Sequence, residues 1–77
     1  MTIRLRDVRK GDRLVERCYG FAVLNEALED VRITDEGYRC RVKVVEGTAS
    51  MADADGVVTL FESFDAGRHA LQLEKVP

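Results

Sequence analysis

The chain has no tryptophan, one proline, one histidine and two cysteines in 77 residues. Each shortage closes off a class. A lone histidine, His69, and two cysteines 22 positions apart, Cys18 and Cys40, cannot give the paired ligand spacing of a zinc site, and two thiols make no disulfide framework. The thiols are expected to be reduced and partly buried, and no metal or other cofactor is expected. No apolar run approaches the roughly 20 residues of a bilayer span. The opening residues, MTIRLRDVRK, carry charges where a signal peptide places its apolar stretch. Both observations point to a cytosolic chain without membrane contact. The P-loop, the GxSxG elbow, the dinucleotide fingerprint and paired metal-binding histidines are all missing, so an enzyme is not expected. Thiol chemistry would need a base beside Cys18 or Cys40, and His69 is the single candidate.

What is present suits one small ordered domain. Hydrophobic residues make up 45% of the chain and charged residues 34%, a balance that excludes disordered and collagen-like classes. A chain of this length buries only about 60% of its unfolded surface, so deep enclosed clefts are not expected. Valine supplies ten hydrophobic residues against seven leucines, and β-branched side chains pack better on a pleated sheet than in a helix.

Turn residues and alternation place the strands. Gly11-Asp12 suits a tight turn that feeds a strand near 13–18, and Ile3 and Leu5 alternate with arginines as a short leading strand would. Residues 19–27 have no clean period and read as a loop, with Asn25 available to cap a helical turn. Residues 28–34 and 38–46 form a hairpin whose second arm alternates strictly, with Tyr38, Cys40, Val42 and Val44 on one face and Arg39, Arg41 and Lys43 on the other. A four-residue loop, Thr34 to Gly37 with Gly37 left-handed, pairs Ile33 with Tyr38 and Val31 with Cys40, keeping the inner face apolar. Arg32 then opposes Arg39, and Asp30 opposes Arg41. Residues 47–56 read as a mobile loop, Val57 to Glu62 as a strand, 63–67 as a compact turn, and His69 to Val76 as the last strand.

This pattern predicts an all-β fold, a small five-stranded antiparallel barrel or roll spanning residues 1–77. The order of strands and loops is similar to an SH3-like small β-barrel. The segment Val8-Arg9-Lys10-Gly11-Asp12-Arg13-Leu14 resembles the apolar, two residues, Gly-Asp pattern that opens the first strand of such barrels and of KOW-type modules. The chain lacks the ALYDY-like aromatic run and the paired tryptophans of peptide-binding SH3 domains, so the resemblance implies architecture and no site residues.

Charge supplies the candidate sites. Residues 1–17 carry a balance of +3 and the remainder −5, as a basic arm on an acidic body would. On the hairpin's outer face Arg32, Arg39, Arg41 and Lys43 form a basic patch that could meet phosphates or an acidic protein surface, with Arg4 and Arg6 of the arm as further candidates. The plain alternative is that Asp30 and strand-edge acids such as Glu46, Glu62 or Glu74 neutralise it. Nucleic acid is one expected partner of such a patch, although an overall pI near 5.3 opposes it and Tyr19, Phe21 and Tyr38 read as core. The acidic stretch Glu26, Glu29, Asp30, Asp35, Glu36 would suit a basic partner, and an incompletely closed sheet leaves an edge for another chain. The expected function is therefore that of a non-enzymatic binding or accessory module acting through protein contact or self-association, with nucleic-acid binding as the alternative. Asp53-Ala54-Asp55-Gly56 resembles the start of a calcium loop, but the twelfth position is Phe64 where a bidentate Glu is needed, so a polar turn is expected.

Overall fold

The computed structural model describes residues 1–18, 20–47 and 52–77, with the backbone alone at Cys18. Among them the order is β1 (Thr2–Ile3), the 3₁₀ turn η1 (Leu5–Asp7), β2 (Arg13–Cys18), β3 (Phe21–Ala27), β4 (Arg32–Ile33), β5 (Gly37–Glu46), β6 (Val57–Ser63), the 3₁₀ turn η2 (Gly67–His69) and β7 (Leu73–Val76). All strand pairs are antiparallel and run β1-β7-β2-β3-β5. One edge of β5 pairs with β6, and its other edge is shared by β3 and the short β4. The sheet curls into a half-barrel, compatible with a small β-barrel fold. Among the described residues no helix is long and apolar enough to cross a membrane.

Local chemistry explains the strands that alternation predicts. Gly11 takes φ +88°, the Asp12 N–H donates to the Arg9 carbonyl, and the Arg9 N–H donates to the Asp12 carboxylate, so the chain turns directly into β2. The register Ile33↔Tyr38 and Arg32↔Arg39 is the one that a four-residue loop requires. Cys40 and Val42 are fully buried on the inner face while Arg41 and Lys43 are exposed. Leu5, Val8, Leu14, Ala27, Leu60 and Leu73 complete the core with them.

The described residues form seven strands where five were expected, and Phe21, expected in the core, is 72% exposed. Four further local expectations are corrected. Residues 21–27 form β3, not a loop, in unbroken register with β2 from Arg13↔Glu26 to Cys18↔Phe21. The buried Asn25 hides the period, because a polar residue occupies an inward position. The first hairpin arm shrinks from 28–34 to Arg32–Ile33: the Leu28 N–H donates to the Arg41 carbonyl, the Val31 N–H to Val8, and the chain bulges as it crosses from β3 to β4. At this short edge Ile33 is 73% exposed and not part of the inner face. Gly37 is not left-handed but an ordinary β5 residue, where a Cβ would collide with the Glu62 carbonyl of the adjoining strand. The last strand begins at Leu73, since 67–69 form η2. Of the expected loop 47–56, residues 48–51 lie outside the described residues, as does Tyr19.

Glu62 holds the open side of the half-barrel. It lies on β6 at 3% exposure, and its carboxylate accepts the Leu71 N–H at 2.8 Å and Arg4 Nη2 at 3.2 Å. Arg4 follows β1 and Leu71 precedes β7, the strands at the far end of the sheet order from β6. Removing the carboxylate leaves a donor unpaired and a guanidinium uncompensated. Glu62→Ala should lower stability by roughly 2–3 kcal/mol in urea unfolding, and more than Arg4→Ala, because Arg4 is half exposed and the Leu71 bond survives its loss.

Candidate binding surfaces

The four hairpin cations do share the outer face of β4 and β5, but acids and an aromatic ring occupy three of them. Glu29, in the bulge before β4, directs its carboxylate back onto β5. It accepts the Arg41 N–H at 3.0 Å and the Arg41 guanidinium at 3.3 Å, and it pairs with Arg32 Nε at 3.3 Å. These bonds, the backbone one foremost, hold the Glu29 carboxyl below the usual carboxylate range against the opposing effect of burial. Arg39 lies over the Phe61 ring at 4.6 Å, across the β5–β6 pair. Lys43 stands between Glu26 and Val57 in register and has no ion pair among the described residues.

Three of the four acids expected to neutralise this face do other work. Asp30 accepts the Lys10 N–H, Glu74 pairs with Arg17, and Glu62 points inward, while Glu46 lies exposed at the end of β5 opposite Leu24. Arg4 and Arg6 do not join the patch. Arg4 is tied to Glu62, and Arg6 sits exposed on η1, whose turn packs against β5 and β6. The basic arm is thus folded into the open side of the sheet. Comparison of the chain with protein-family models, curated proteins and solved structures finds no match.

Two features escaped the sequence reading. The first is which strand supplies the open edge expected of the sheet: among the described residues it is the border of β6. The Val44 N–H donates to the Gly56 carbonyl, and by β-ladder alternation Val58, Leu60 and Glu62 direct their backbone groups to β5, so those of Thr59 and Phe61 point away from the sheet. Asp53 covers the lower end, where its N–H donates to the Val57 carbonyl and its carboxylate accepts the Asp55 and Val57 N–H groups. That carboxylate closes a turn, the polar role expected of it. The second is a shallow cleft of about 290 Å³ at the start of β7, lined by Arg4, Arg17, Arg68, Leu71, Leu73 and Glu74 among others. The inward Glu62 could have been noticed from Val58-Thr59-Leu60-Phe61-Glu62, where the acid falls on the apolar phase. Nothing local marks Glu29 or the cleft.

Cys40 is fully buried, its thiol pushed up to about 11 by desolvation and then by the nearby Glu29 charge. His69 is exposed on η2. Among the described residues no three of His, Cys, Asp and Glu gather as a metal site would require. Burial likewise raises the carboxyl of Glu16, an inward residue beside Leu73.

A lowered carboxylate contributes stability above its unfolded value, and that contribution disappears as pH falls towards the native one. Glu29→Gln should therefore cost about 1 kcal/mol at pH 7. In urea unfolding the difference from the parent protein should shrink steadily once pH falls below 4.5, the ordinary value for glutamate.

Proposed function

We propose that the protein is a non-enzymatic accessory module of the cytosol that acts by self-association, adding a second copy of itself as a strand along β6. The observation that carries this reading is the border at Thr59 and Phe61, whose backbone groups have no partner among the described residues. Edge strands are usually protected by charge, proline or brevity, and β6 has seven residues with Val57, Thr59 and Phe61, all uncharged, on its solvent face. Two antiparallel copies can place Thr59 opposite Phe61 of the partner without bringing like charges into register. Arg39, one strand back, lies over Phe61 and screens that ring until a partner arrives.

An SH3-like architecture is part of the proposal. The short turn with η2 before the last strand supports it, while β3 stands where a long loop was expected. The alternative reading, binding to a phosphate backbone, is favoured by Arg39 and Lys43, which form no ion pair among the described residues, although Glu26 stands opposite Lys43 in register.

Light scattering after size exclusion should show a concentration-dependent dimer that Thr59→Pro and Thr59→Lys both reduce to a monomer. The Thr59 N–H faces away from β5, so proline there leaves the β5–β6 ladder intact. A monomer at millimolar concentration would exclude self-association. For the alternative, anisotropy with labelled single-stranded RNA should report binding that weakens steeply between about 50 and 200 mM salt and falls with Arg39→Ala/Lys43→Ala.

A further inference from the structure

The cleft at the start of β7 is independent of the β6 border and of anything said above about its partner. Three arginines, Arg4, Arg17 and Arg68, line it against one acid, Glu74. Arg4 commits one Nη to Glu62, and Arg17 commits its Nε to Glu74 at 3.5 Å, so each keeps N–H donors unspent. Arg68 forms no ion pair among the described residues. With Glu62 and Glu74 each paired to one arginine, the cleft keeps an excess of one positive charge in a chain whose net charge is −2.

Leu71, Leu73 and Ala70 give the remaining wall an apolar character.

We propose that this cleft binds a small organic phosphate, its phosphoryl group held by the guanidiniums of Arg68 and Arg17 and its body resting on Leu71. A phosphate monoester offers three terminal oxygens and close to two negative charges, which matches several forked guanidinium donors better than a lone carboxylate does. A volume of about 290 Å³ lies at the small end of ligand sites and admits an organic body beside the phosphoryl group. Glu74 competes with the ligand for Arg17.

The test is a ¹H–¹⁵N NMR titration of the whole chain with phenyl phosphate, with inorganic phosphate and phenol as controls. The expected result is saturable movement of the Gly67, Arg68 and Gln72 amides with phenyl phosphate, weaker movement of the same amides with inorganic phosphate, and none with phenol. Arg68→Ala should weaken binding at least about ten-fold, the loss of one charge-assisted contact, and Glu74→Gln should tighten it. The opposite signs separate a site from a general loss of structure. Shifts that do not saturate, that spread over the remaining exposed arginines, or that ignore both substitutions would overturn the site. Equal affinity for inorganic and phenyl phosphate would overturn the organic part of the assignment.

Discussion

The Glu62 carboxylate spans the side of the half-barrel that no backbone ladder closes among the described residues. One oxygen takes the Leu71 N–H and the other takes Arg4, so both chain segments flanking the β1–β7 pair are fixed to β6 through a single buried side chain. A carboxylate in that position is stable only because both oxygens are bonded. In return it anchors η1, which carries Leu5 into the core, and it sets where the β7 segment starts, which shapes the cleft beside η2.

A second acid organises the opposite edge of β5. Between β3 and β4 the chain bulges, and Glu29 supplies by side chain the hydrogen bond to Arg41 that a continuous strand would have supplied by backbone. The same carboxylate engages Arg32, so the repulsion expected of a cation-rich hairpin is met from within. Arg39 is handled differently, by the ring of Phe61. The six candidate cations, four on the hairpin and two on the arm, thus resolve into three guanidiniums held by acids, one held by an aromatic ring, and Lys43 and Arg6 on separate surfaces.

Much of the fold was legible because it follows from short-range rules. The Gly11-Asp12 turn, the bounds of β2, the alternation of β5, the strand at β6 and the hairpin register all depend on residues within a few positions of one another. Reading failed where a polar residue sat on the wrong phase, as Asn25 does in β3, or where side chains replaced a ladder, as between Leu28 and Val31. The reading of Gly37 as a left-handed turn residue missed another reason for glycine, the close passage of the β6 backbone.

The sequence by itself determined an all-β chain, its main turns, and which side chains of β5 face the core, because backbone preference and the two-residue period are local. Which acid meets which arginine, which strand border is left open, and which guanidiniums line a common cleft were decided only by the tertiary structure. Those pairings join residues as far apart as Arg4 and Glu62, 58 positions in sequence, and they are set by the curl of the sheet, which no local pattern encodes.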